Sequence, residues 1–141
     1  MTIILTLFGT FSINQDLKVS HDFSYLIKVS NITKINFPKK GYISSVTKNK
    51  EIFSMVKFEN KNEINSLIQS NSNWQNNLNM ISANFIPLYY TSISSTYHYF
   101  LVYDASCHSY NTIDYSHKTH EYYYFAYDKT NNILLILNGQ F

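Results

Sequence analysis

The strongest constraint on this chain lies near its end. Residues 121–127 (Glu-Tyr-Tyr-Tyr-Phe-Ala-Tyr) and 133–138 (Ile-Leu-Leu-Ile-Leu-Asn) flank the polar run Asp128-Lys129-Thr130-Asn131-Asn132. Two strand-like runs around a short polar loop predict a β-hairpin. The second run is apolar at successive positions, not at alternate ones. Side chains along a strand point to opposite faces in turn, so this strand needs cover on both sides. Short helices or a second sheet must supply it. We therefore expect an α+β domain, predominantly antiparallel β-sheet, with one or two short helices in the middle of the chain. A β-sandwich or half-open barrel is the rival.

Residues 2–13 are rich in β-branched and aromatic types and predict a strand. Residues 17–37 hold two or three further apolar runs, also expected as strands, broken near Ser20-His21-Asp22 and Ser30-Asn31. Phe37-Pro38-Lys39-Lys40-Gly41 is a loop with proline and glycine as breakers. Residues 42–47 and 51–58 predict two strands joined around Thr47-Lys48-Asn49-Lys50. Asn60 followed by Glu63 resembles a capping pair, and Ile64, Leu67 and Ile68 follow at helical spacing. A second short helix is expected after Ser72-Asn73, with Trp74, Leu78 and Ile81 on one face. Strands resume over 85–93 and 97–103. With only three glycines and two prolines, the turns must lean on Asn, Asp and Ser.

A length of 141 residues, 45% of them hydrophobic, fits one domain over residues 1–141. Charged residues make up 14%, against about a quarter in an average domain. All eleven basic residues are lysines. Arginine is the usual forked donor to phosphate and to guanine edges, so its absence counts against nucleic-acid binding. The lysines concentrate in residues 28–61, where eight face two glutamates for a net of +6, while residues 62–141 carry −3. Cys107 stands alone, which rules out an internal disulfide, and is read as a small buried thiol. The apolar first eleven residues lack a charged start and a small-residue cleavage site. They are also far short of the ~20 residues a membrane helix needs. A cytoplasmic location without membrane contact is expected. The isolated glycines form no phosphate loop, and no cofactor is expected.

Two constellations bear on function. His98, His108, His117 and His120 cluster with Asp104, Cys107 and Asp114 in the last third of the chain. On an extended segment His117 and His120 would point to opposite faces, so no metal site is expected. His108, His117 and His120 could still supply a general base and acid, with Lys118 stabilising a charged phosphate, as in a small hydrolase or nuclease. The other constellation pairs tyrosine with lysine. Eleven tyrosines crowd residues 89–127, more phenols than a small interior is expected to satisfy with hydroxyl partners. Tyr110, Tyr115, Tyr122 and Tyr124 are therefore expected on a contact surface, with Lys39, Lys40, Lys48 and Lys50 steering an acidic partner. The leading expectation is a non-enzymatic binding module of inhibitor or immunity type. It would neutralise another protein, such as a toxin or nuclease, by steric occlusion. The His-dependent hydrolase is the alternative.

Overall fold

A computed structural model describes residues 18–20, 24–48, 50–80, 82–83, 90, 93–113 and 121–140. The described elements are β1 (Lys18–Ser20), α1 (Ser24–Thr33), β2 (Gly41–Lys48), β3 (Glu51–Phe58), α2 (Lys61–Ser70), β4 (Ser82–Ala83), β5 (Tyr99–Asp104), β6 (Ser109–Tyr110), β7 (Thr112–Ile113), β8 (Glu121–Asp128) and β9 (Ile133–Gln140). Single 3-10 turns lie at Leu78–Met80 and Ile93–Ser95.

The expected C-terminal hairpin sits inside the main sheet. Its seven strands follow the order β1-β2-β3-β9-β8-β5-β6, and every neighbouring pair is antiparallel. β8 and β9 pair along all eight residues, from Glu121 opposite Gln140 to Asp128 opposite Ile133. β3 meets β9 over four residues only, Ser54–Lys57 against Ile133–Ile136. β4 and β7 form a separate parallel pair.

Alternate side chains of the central strands feed two cores. One face carries Tyr122, Tyr124, Ala126, Ile133, Leu135 and Leu137 with Phe53, Met55, Phe100 and Val102. Leu78, Tyr90, Ile93 and Tyr97 pack on it. The other face carries Tyr123, Phe125, Tyr127, Leu134 and Ile136 with Val56, Phe58, Leu101 and Tyr103. Leu26 and Val29 of α1, Ile64 and Ile68 of α2, and Trp74 cover that side. The two-sided burial demanded by the last strand is thus met, and the fold is α+β with a predominant antiparallel sheet. Among the described residues, helices and connecting segments provide the cover, where the rival sandwich required a second sheet.

Of the strands expected across residues 17–37, the first is β1 at Lys18–Ser20, while α1 corrects the expectation over 24–33. Ile27, Val29, Ile32 and Thr33 are β-branched and disfavour a helix locally. Leu26, Val29 and Thr33 are nonetheless buried at three- and four-residue spacing along one stripe. Burying that stripe on the sheet outweighs a propensity cost of a few tenths of a kcal/mol per residue. The helix ends where Thr33 Oγ1 donates to the Val29 carbonyl at 2.8 Å and accepts from the Ile35 amide at 3.3 Å. Lys34 then takes a left-handed backbone (φ 61°), its amide bonded to Ser30 O at 2.8 Å.

α2 begins as expected. The Asn60 side chain accepts from the amides of Asn62 and Glu63 at 3.0 and 3.3 Å, and Ile64 and Ile68 are buried. The second short helix expected after Ser72-Asn73 shrinks to the turn at Leu78–Met80. Asparagine explains the loss, because Asn71 and Asn77 spend their side-chain oxygens on the amides of Asn73 and Asn79, at 3.0 and 2.9 Å. Within the strand expected at 85–93, Tyr90 is helical and Ile93 opens a 3-10 turn, and residues 84–89 and 91–92 lie outside the described residues. The first expected strand, residues 2–13, also lies outside them.

Candidate binding surface

The β2–β3 hairpin decides where the lysines go. Gly41 pairs with Phe58 at one end and Lys48 with Glu51 at the other. Eight residues of strand separate those ends by roughly 23 Å. Lys39 and Lys40 lead into the first end, while Lys50 sits in the turn at the second. The lysine stretch is therefore split between two ends of the sheet. The side chain of Lys48 lies outside the described residues.

Lys39 and Lys40 belong to a concave surface. Residues 34–40 form no helix or strand and run antiparallel to α2, held at one end by the Glu59 amide donating to Lys40 O at 2.9 Å. Ile35, Phe37 and Pro38 are buried, whereas Lys34, Asn36, Lys39 and Lys40 are exposed. Two cavities succeed each other along the seam. The larger, about 450 Å³, lies between Phe37, Lys39 and Lys40 on one bank and Glu59, Asn60 and Glu63 on the other. The smaller, about 280 Å³, lies between Lys34, Ile35 and Asn36 and the Leu67, Ser70 and Asn71 end of α2. Nearby, Lys57 donates to the carbonyl of Asn131. Partial burial lowers its pKa, against the pull of Asp128 and with help from Lys61. Sequence reasoning missed Lys34 and the α2 bank. The signal is present in the alternation of Lys34, Ile35, Asn36 and Phe37, a pattern that a sheet strand would show equally well.

The tyrosines are a correction. Tyr122 and Tyr124 have no exposed surface and cannot meet a partner. Tyr90 packs edge-on to Tyr124 at 5.4 Å between ring centres. The interior also absorbs more hydroxyls than expected. Tyr90 donates to Phe125 O at 2.8 Å, Tyr127 to Asn132 Oδ1 at 3.0 Å and Tyr123 to Glu121 Oε1 at 3.2 Å. Tyr110 is half-buried and acts as a fastener, its hydroxyl on Thr33 O at 2.6 Å and its ring 5.0 Å from that of Tyr103. Tyr115 lies outside the described residues.

The described histidines do not meet. His98 precedes β5 and His108 follows it, at opposite ends of the strand. His98 Nδ1 accepts from the Lys129 amide at 3.2 Å and lies 3.5 Å from Asp128 Oδ1. His108 Nδ1 is 2.9 Å from the Tyr103 hydroxyl. His117, His120 and Lys118 lie outside the described residues. Among the described residues, no three of His, Cys, Asp and Glu are grouped to hold a metal. Cys107 is exposed, not buried. It lies in the β5–β6 turn, where its amide and that of Ser106 both bond Asp104 Oδ1. No helix among the described residues is long and apolar enough to cross a membrane. Comparison with protein-family models, with curated proteins and with solved structures gives no match for this chain.

Proposed function

We propose that this protein is a binding module of inhibitor or immunity type, acting in the cytoplasm, which neutralises a partner protein by occluding the partner's site. The contact surface is the groove between residues 34–40 and α2. One observation supports this above the others: three exposed lysines, Lys34, Lys39 and Lys40, line one bank of a concave surface seated on the sheet's buried core. Occlusion needs a rigid, shaped surface and charge to steer encounter, and no reacting group. Both banks are anchored, α2 by Ile64 and Ile68 and the facing segment by Ile35 and Phe37.

The test is a charge reversal. Wild-type protein is used to capture its partner from the native host, and the Lys39→Glu/Lys40→Glu double variant is then challenged with that same partner. Both side chains are exposed, so the variant should keep its circular dichroism spectrum and melting temperature. Loss of most of the affinity with folding intact is the expected result. Undiminished affinity would place the interface elsewhere.

A further inference from the structure

Resting on the reading of the groove as the contact surface, we propose that its occupant is an extended, acidic peptide segment of the partner, laid along residues 34–40. Shape gives the first reason. The two cavities of about 450 and 280 Å³ follow one another along α2. A helix of ten residues is about 15 Å long, so the two cavities together form an elongated groove beside α2. An extended chain fits, and about five of its residues span that length.

Charge gives the second reason. Lys34, Lys39 and Lys40 stand along the 34–40 bank, with Lys61 exposed at the start of α2. Glu59 and Glu63 are the acidic residues lining the larger cavity, and they lie together on the opposite bank. A bound strand sends alternate side chains to opposite sides. Carboxylates on one side would face the lysine bank. The other side would face Glu63 and Leu67, where neutral or apolar side chains suit better than acidic ones. Nucleic acid fits worse, since a uniform run of phosphates would also meet Glu59 and Glu63.

The experiment is an amide-shift titration of the full chain by NMR. The probe is the octapeptide Glu-Leu-Glu-Ser-Glu-Leu-Glu-Ser. Its lysine-for-glutamate counterpart and an eight-base thymidine oligonucleotide are the comparators. The acidic peptide is expected to shift amides within 34–40 and 60–72. Raising salt from about 50 to about 300 mM should weaken it about tenfold. Lys34→Glu/Lys39→Glu should abolish the shifts, and the neutral Lys34→Gln/Lys39→Gln pair should reduce them by about tenfold. Absence of shifts there, equal binding of the basic peptide, or tighter binding of the oligonucleotide overturns the inference. If partner capture depends on Lys39 and Lys40 while the peptide leaves the groove amides unmoved, occlusion stands and the extended occupant falls. If the peptide binds in the groove while partner capture is indifferent to those lysines, the extended occupant stands and occlusion through this groove falls.

Discussion

At the level of single residues the chain solves its turns with little glycine. Lys34, Lys50, His108, Asn111 and Asn132 all have positive φ, between 53° and 64°, a conformation costing a side-chain-bearing residue roughly 1–2 kcal/mol. Two of the turns share one device. Asp104 and Asp128 each bond the amides two and three residues on, at 2.9 and 3.2 Å in both turns, and each precedes a left-handed residue by four positions. The left-handed residues differ in what else they do. Asn132 is buried, donates to Phe58 O at 2.6 Å and accepts from Tyr127, so it ties the turn to β3. Asn132→Gly relaxes the backbone but strands a buried phenol, and a net loss of about 1–3 kcal/mol is expected from urea unfolding. His108 is exposed and, among the described residues, its ring bonds Tyr103 in a half-buried setting. His108→Gly should be neutral or stabilising by up to about 1 kcal/mol in the same assay. Ser44 carries a buried hydroxyl with no hydrogen-bond partner among the described residues. Ser44→Ala removes that unmet group and should raise stability by about 1 kcal/mol, read as a higher urea midpoint at unchanged slope.

Among elements, those legible in the sequence are the ones whose local signals agree with their surroundings. β8 and β9 could be read because an apolar run on both sides of a polar loop has few other solutions. The Asn60 cap could be read because an asparagine before Glu63 and Ile64 satisfies helix amides wherever the helix packs. α1 could not, since its β-branched residues speak for a strand and only burial of Leu26 and Val29 in the core they share with Val56 and Phe125 makes it a helix. The burial of Tyr122 and Tyr124 was hidden for a similar reason: the core that covers them is built with Phe53, Met55, Tyr90 and Phe100, which are distant in sequence. The division of the lysines was legible, however. Two strands at 42–47 and 51–58 already place Lys39 and Lys50 at opposite ends of a hairpin. The outer edge of β5 was not legible at all. Gln75 exchanges backbone bonds with Phe100 at 2.8 and 2.7 Å, and β6 pairs with Tyr103 and Asp104. Asn111 closes the gap, its amide on Val102 O at 2.7 Å and its side-chain oxygen accepting from the Val102 amide at 3.0 Å. The strand that would otherwise invite edge pairing is thus stitched shut. Asn111→Gly keeps the left-handed backbone and removes the side-chain stitch, together with the Nδ2 donation to Asn73 O at 2.6 Å. Hydrogen exchange at the Val102 amide should accelerate at least tenfold relative to Leu101, and equal exchange at both would show that the side chain protects nothing.

For the molecule as a whole, the shared sheet carries tyrosines into both cores, and this sets its response to alkali. A free phenol ionises near pH 10. Burial raises Tyr90, Tyr123 and Tyr127 well above that value, with the adjacent carboxylates of Glu121 and Asp128 adding to the shift at Tyr123 and Tyr127. Backbone hydrogen bonding from Leu101 offsets part of the rise at Tyr90. Below pH 10 folded and unfolded chains are both protonated at these sites, and the sites are neutral toward pH. Above it the unfolded chain releases protons that the folded chain retains, so stability falls as pH rises. Each retained proton costs about 1.4 kcal/mol per pH unit, hence about 4 kcal/mol per unit for the three together. A domain of ordinary stability, about 5–15 kcal/mol, is exhausted within a few units at that slope. Unfolding is therefore expected between about pH 11 and 13, with tyrosinate absorbance rising in the same step in which the sheet's circular dichroism is lost. Tyr127→Phe lowers stability outright, because Asn132 Oδ1 loses its donor, yet it should also flatten the alkaline slope by about 1.4 kcal/mol per pH unit. That flattening, not the midpoint, identifies the retained proton. A smooth tyrosinate titration centred near pH 10, completed while the dichroism persists, would mean that solvent reaches these rings in the folded protein.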